Sequence, residues 1–170
     1  MIRGGIDGVS GVSADLAVTT AANFRRKPGL SEELFGPHCL IVRYDSEAEL
    51  AACLEGLDGQ LTASVHLGAN ETAAAQRWLD LLQRKAGRVI CNGFPTGVEV
   101  SPAMNHGGPY PATSDSRFTS VGTAAIIRFL RPVCFQNLPP ALLPPALRDE
   151  NPLGILRQVD GGFTRDPIIA

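Results

Sequence analysis

Any chemistry in this chain must come from few side chains. Cys39, Cys53, Cys91 and Cys134 are the candidate nucleophiles, and His38, His66 and His106 the candidate bases. The histidines lack the i,i+4 spacing that sets two imidazoles on one helix face, and no C-x-x-C pair occurs, so no metal site is expected. An attacking thiol needs its pKa depressed by a helix N-terminus or a nearby cation. Cys39 in "HCLIVRY" and Cys91 in "RVICN" instead lie in apolar runs, where burial keeps a thiol protonated and inert. Cys53 falls on the apolar face of a helix, and Cys134 in an edge strand. A hydrolase built from Cys91, His106 and Asn92 would need two adjacent strand residues to cooperate, although such residues point to opposite faces. The carboxylate pairs Glu32–Glu33, Asp45–Glu47 and Asp149–Glu150 read as solvated surface or caps. No self-contained catalytic set emerges. Reduced thiols in a cytoplasmic setting fit the cysteine pattern better than a disulfide framework.

One stretch does combine unlike functions at close spacing. "SEELFGPHCLIVRY" (31–44) places Glu33 two residues before Phe35, turns at Gly36-Pro37 and enters an apolar run. A carboxylate offers two acceptor oxygens to a polyhydroxyl ligand, and an aromatic ring offers a flat apolar face beside it. The plainer alternative has Glu33 solvating a loop and Phe35 packed in the core.

The elements that would position these residues follow from periodicity. Hydrophobic residues make up 44% of the 170 and charged residues 19%, which suits a globular domain with a real core. A net charge of −2 supplies no basic field, so nucleic acid is not an expected partner. No apolar stretch is long enough to span a membrane, and "MIRGGIDGVSG" lacks the apolar region of a signal peptide. Residues 1–37 are Gly/Ala/Ser/Thr-rich and read as an irregular lead-in, and their glycines do not meet G-x-G-x-x-G spacing. From residue 38 a β-α-β-α-β order is expected. It comprises a strand at 38–44, a helix at 46–57, a strand at 61–67, a helix at 70–87 and a strand at 88–92. Ser46 and Glu49 form an S-x-x-E capping box, and Leu50, Cys53, Leu54 and Leu57 share one helical face. Asn70 and Gly87 are the expected cap and stop of the second helix. Strands joined by helices are expected to run parallel, through right-handed crossovers.

After Asn92 the chain becomes Gly/Pro-rich to residue 118, a loop long enough to suggest function. A short helix over 119–129, capped by Thr119 or Ser120, and a strand over 130–136 follow, with Pro132 confining that strand to an edge. The Pro-rich tail repeats "LPPAL" at 138–142 and 143–147 and reads as an extended arm.

Glu33-Leu34-Phe35-Gly36-Pro37 ahead of a strand resembles the E-x-F-G-P motif of the NAD(P)-dependent aldehyde dehydrogenases, and the order of the downstream elements strengthens the likeness. A strand ending in Asn, "GRVICN", precedes a Gly-Gly loop, "NHGGPYPATSDSRFTSVG". The stretch from Asn92 to Pro139 resembles the branch acting on 2-oxoglutarate semialdehyde and on fatty aldehydes. The resemblance covers roughly residues 20 to 162 and implies an α/β fold. That fold is a partial catalytic domain at 38–129 with a mostly parallel sheet, an oligomerisation strand at 130–137 and an arm at 138–170. It implies that Glu33 hydrogen-bonds the nicotinamide-ribose hydroxyls of NAD or NADP and that Phe35 packs beside the nicotinamide. It implies that Asn92 braces the floor of the site, and that the loop at 105–118 walls the aldehyde entrance. "NHGGP" departs from the family's commoner Pro-Phe-Gly-Gly, so no substrate contact is assigned there. The family's nucleophilic Cys, its general-base Glu and its cofactor domain lie upstream of E-x-F-G-P. No cysteine here takes the nucleophile's place. The chain is therefore expected to be a C-terminal portion, inactive alone, whose partners are further copies or the missing N-terminal half. The competing expectation is a noncatalytic assembly module that keeps the oligomerisation strand.

Overall fold

The apolar run that begins at residue 38 finds its hydrogen-bonding partner inside the stretch expected to be irregular. In a computed structural model of the chain, residues 2–4 and 14–168 are described. Strand β1 (Ile2–Gly4) pairs antiparallel with β2 (Ala14–Thr20), which runs parallel to β3 (His38–Arg43). Helix α1 (Ala21–Arg26) leaves β2 directly, its first turn capped by the Thr20 hydroxyl, which accepts from the Asn23 N–H at 3.3 Å. The irregular lead-in over 1–37 is thus corrected from residue 14 onward, while residues 5–13 lie outside the described residues. "ADLAVTT" alternates small side chains with modest apolar ones, so its period-2 signal is faint. Pairing with β3 supplies what local propensity does not.

Beyond β3 the expected order appears: α2 (Glu47–Glu55), β4 (Gln60–Val65), α3 (Thr72–Leu82) and β5 (Ala86–Cys91). The capping box at α2 forms. The Glu49 N–H donates to Ser46 Oγ at 3.3 Å, and the Glu49 carboxylate accepts from the Asp45 N–H at 2.9 Å. Gly56 closes the helix. The apolar face of α2 meets Phe24, Val42 and Tyr44 through Leu50, Cys53, Leu54 and Leu57 around a cleft of about 150 Å³.

Helix α3 is shorter than expected. Glu71, not Asn70, stands at its N-terminus, and the helix ends at Gln83. Gly87 lies inside β5 rather than stopping α3, because strand pairing with β4 begins at Ala86. β4 and β5 are parallel, as expected, but β3 does not join them; the strands form a β1-β2-β3 sheet and a separate β4-β5 pair. The buried apolar residues are few (Ala21, Cys53, Ala75, Leu81, Leu82, Ala86), and among the described residues no large side chain is fully buried.

The described chain divides into two units at Phe129/Leu130. The expected helix over 119–129 is a 3-10 helix at Thr123–Phe129, and Thr119 serves the preceding loop instead of capping it. In the second unit, residues 130–136 form no strand among the described residues. Pro132 donates no N–H, and within the unit no neighbouring strand pairs with this stretch. The two "LPPAL" copies make the same structure, 3-10 turns at Pro140–Leu142 and Pro145–Leu147. The arm then folds back into a hairpin, β6 (Arg157–Val159) and β7 (Gly162–Thr164). Its two-residue turn, Asp160-Gly161, has φ of 46° and 85°, as a primed hairpin turn demands. Polar clamps hold this unit: the Arg157 guanidinium donates to the carbonyls of Asp149 at 2.7 Å and Asp166 at 3.2 Å. The buried Asn151 amide donates to the carbonyls of Ile155 and Arg165. Among the described residues no helix is long and apolar enough to cross a membrane.

Candidate functional site

The segment 31–37 leaves the 3-10 turn Pro28–Leu30, where the Ser31 hydroxyl donates to the Pro28 carbonyl at 2.8 Å. It swings into β3 through Gly36, whose φ of 154° L-residues rarely adopt. Between these two fixed points Glu33 faces a groove of about 600 Å³, lined also by Glu32, Asp58, Gln60, Thr62 and Pro111. Among the described residues no hydrogen bond or ion pair engages the Glu33 carboxylate. Phe35 is 93% exposed, so it is not a core residue of this chain.

The opposite wall belongs to the Gly/Pro-rich loop, which is tied down along its length. Asn92, at the end of β5 with φ 50°, accepts the Leu67 N–H on its side-chain oxygen at 2.7 Å and donates its amide to the Leu67 carbonyl at 3.2 Å. It is both strand-end turn and brace. Arg88 reaches from β5 to the Gly97 carbonyl at 2.8 Å, and the Asn105 amide to the Gly87 carbonyl at 2.9 Å. The Gly59 N–H donates to the Tyr110 carbonyl at 3.2 Å. Buried Thr119 accepts the His106 N–H at 2.8 Å and donates to the Val121 carbonyl at 2.7 Å. Two backbones meet where side chains cannot fit. A Cβ on Gly87 would lie 2.0 Å from the Gly107 carbonyl oxygen, and one on Gly108 would lie 2.4 Å from that of Gln60. At the loop's exposed end Arg117 hydrogen-bonds Asp115, lowering that carboxyl to a pKa of about 2, and the same contact raises the Arg117 pKa. Sequence reasoning missed Arg88, Asn105 and Thr119, since nothing in their spacing marks which carbonyl each will meet.

The other candidates are not assembled. Cys39, Cys91 and Cys134 are exposed and only Cys53 is buried, which corrects the expected burial of Cys39 and Cys91: both strands leave faces uncovered in this chain. Both ends of the Asn92 amide are taken by Leu67, and no hydrogen bond joins Cys91 to His106, so the hydrolase arrangement is absent. His38 pairs with Asp15 at 3.5 Å, and His66 stacks at 5.1 Å on Phe94. Among the described residues no cluster of side chains could hold a metal ion.

An open carboxylate offers acceptor oxygens to a polyhydroxyl ligand, and an exposed ring offers a flat apolar face. Glu32, Glu33 and Asp58 give the groove a negative field that disfavours anionic groups. Known proteins are similar to this chain over most of its length. The chain is 55% identical over 153 residues, 90% of its length, to an alpha-ketoglutaric semialdehyde dehydrogenase of Acinetobacter baylyi. It is 54% identical over 141 residues, 83% of its length, to alpha-ketoglutaric semialdehyde dehydrogenase 2 of Azospirillum brasilense. The chain belongs to the aldehyde dehydrogenase family. No family model matches it. It spans 28% and 27% of those relatives' lengths. Small parallel sheets with helical crossovers are consistent with a partial aldehyde dehydrogenase domain.

Proposed function

We propose that this chain forms one wall of the active site of an NAD(P)-dependent aldehyde dehydrogenase that oxidises an aldehyde, 2-oxoglutarate semialdehyde in the first instance, to a carboxylic acid. The single observation that carries the reading is the free Glu33 carboxylate facing a groove across from a loop tied to β4 and β5. In the complete enzyme Glu33 accepts hydrogen bonds from the nicotinamide-ribose hydroxyls, and Phe35 limits where the ring can sit. The cofactor supplies a hydride acceptor. Asn92, Arg88 and Thr119 hold the loop wall rigid, so that an aldehyde meets a preformed surface. Cys39, Cys53, Cys91 and Cys134 take no part in the reaction. The nucleophile comes from polypeptide outside these residues.

The chain alone is expected to leave NAD+ and NADP+ unreduced with 2-oxoglutarate semialdehyde. Mixing it with a polypeptide carrying the rest of the Acinetobacter relative is expected to restore turnover. Turnover by the chain alone that Cys91→Ser abolishes would sink the proposal. A second reading, assembly rather than catalysis, is favoured by the exposed Leu153, Leu156 and Phe163 of the second unit. In it the unit docks on another subunit, with residues 130–137 adding a strand there. Sedimentation of the chain as a monomer at every concentration would count against it.

A further inference from the structure

Asn92-Gly93 is the one Asn-Gly dipeptide in the sequence. Glycine has no Cβ to shield its own nitrogen, so that nitrogen can reach the carbonyl carbon of the preceding side-chain amide and close a ring on it. Two features of the site favour this reaction. Asn92 is exposed to water, and among the described residues no hydrogen bond engages the Gly93 N–H. At Asp58-Gly59, by contrast, the glycine N–H is spent on the Tyr110 carbonyl at 3.2 Å.

One feature opposes it. Leu67 holds the Asn92 amide at both ends, giving its N–H to Oδ1 at 2.7 Å and accepting from Nδ2 on its carbonyl at 3.2 Å. The Asn92 main chain is fixed as well, its N–H donating to the Val65 carbonyl at 2.8 Å. An amide bridged in this way points across to the chain beyond β4. It cannot turn onto the Gly93 nitrogen until both of its bonds break.

We propose that Asn92 is a site of spontaneous deamidation and that the clamp on Leu67 sets its rate. When the clamp opens, the Gly93 nitrogen bonds to Cγ of Asn92 and the Cγ–Nδ2 bond breaks. Nδ2 leaves as ammonia, taking the proton that the glycine nitrogen gives up, and a cyclic imide remains. Water then breaks one of the two carbonyl–nitrogen bonds of the imide, which leaves aspartate or isoaspartate at 92. Neither product rebuilds the clamp. A carboxylate has no N–H for the Leu67 carbonyl and sets negative charge against that oxygen. Isoaspartate also lengthens the main chain at a residue held at φ 50°. Each event therefore unfastens, irreversibly, the strand end from which the Gly/Pro-rich loop departs.

Incubating the full chain, folded and in denaturing urea, tests this. Isoaspartate is read by methyl transfer from S-adenosylmethionine with an isoaspartate methyltransferase, and placed at 92 by peptide mapping. Two hydrogen bonds hold the amide, so the folded chain should react about 30-fold more slowly than the unfolded one. Leu67→Pro removes the N–H that Oδ1 accepts and should return about fivefold of that protection. Gly93→Ala should all but stop the reaction and leave Leu67 amide exchange unchanged, since its Cβ meets the Ile90 Cγ2 methyl at 3.1 Å, a group that can shift. If Leu67→Pro does not fold, urea below the unfolding transition takes its place: isoaspartate formation and Leu67 amide exchange should then rise by the same factor. No isoaspartate at 92 in the unfolded chain overturns the site. Reaction of Gly93→Ala at the wild-type rate overturns the ring closure. Equal folded and unfolded rates, or a rate that stays fixed while Leu67 exchange rises, overturn the clamp.

Discussion

The two walls of the groove are built in opposite ways. The loop from Asn92 to Val121, which gives Pro111 and Ala112 to the groove, is held by polar side chains: Asn92, Asn105 and Thr119 within it and Arg88 on β5 each bind a main-chain group of this chain. The 31–37 wall carries the Glu33 carboxylate, which has no hydrogen-bond or ion-pair partner among the described residues, and a ring 93% exposed. A segment whose chemical groups have no internal partner is one whose partners come from elsewhere, in ligand or in further polypeptide. On the function proposed above, the tied loop is scaffold and the open segment is where the cofactor would bind. That division makes separable predictions for stability and for function.

The largest effect should fall where two backbones touch. Gly87→Ala sets a methyl 2.0 Å from the Gly107 carbonyl oxygen, so the loop must lift from β5. The expected loss is about 3 kcal/mol, measured by urea unfolding, and a neutral result would break the picture of a close-packed loop. Asn92→Ala removes two hydrogen bonds to Leu67 and leaves a non-glycine residue at φ 50°, for a loss of roughly 2 kcal/mol. Asn92→Gly keeps the backbone and loses only the amide, so it should cost about half as much. The difference between the two separates turn from brace. Thr119→Val leaves the His106 N–H without its acceptor, for about 1–2 kcal/mol.

The smallest effect concerns Asp115, whose exposed carboxyl is held at about 2 against an ordinary 3.8 by the Arg117 hydrogen bonds. A lowered acid contributes its stability above the ordinary value and loses it as pH falls toward the folded one. The decline should therefore run between pH 4 and pH 2 and disappear in Asp115→Asn. Carboxyl chemical shifts followed through the titration report it directly.

Much of this was legible in the sequence, for identifiable reasons. The capping box at Ser46 and Glu49, the apolar face around Cys53 and the parallel β4–β5 pair carry strong local signals, and all three form. β2 was hidden because "ADLAVTT" has little apolar bulk and is a strand only beside β3. Gly87 was misplaced because a glycine after a helical run looks like a helix stop, whereas its need for space comes from Gly107, distant in sequence. The Asp160-Gly161 turn was readable, since that dipeptide is a strong hairpin signal, but the surrounding prolines favoured an extended arm. Of the candidate site, Glu33 and Phe35 stand out by type and spacing. The clamps made by Arg88, Asn105 and Thr119 depend on tertiary contacts that no local pattern encodes.

The most direct test compares Glu33→Gln and Phe35→Ala in two settings. In the lone chain both should leave urea stability within about 0.5 kcal/mol of wild type, because among the described residues the Glu33 carboxylate has no hydrogen-bond or ion-pair partner and Phe35 is 93% exposed. In the enzyme reconstituted with the rest of the Acinetobacter polypeptide, Glu33→Gln should raise the KM for NAD+ or NADP+ about tenfold, the loss of a charge-assisted hydrogen bond. A Glu33→Gln enzyme with an unchanged cofactor KM, or one whose lone chain unfolds, would mean that the carboxylate is structural and that the open wall binds no dinucleotide.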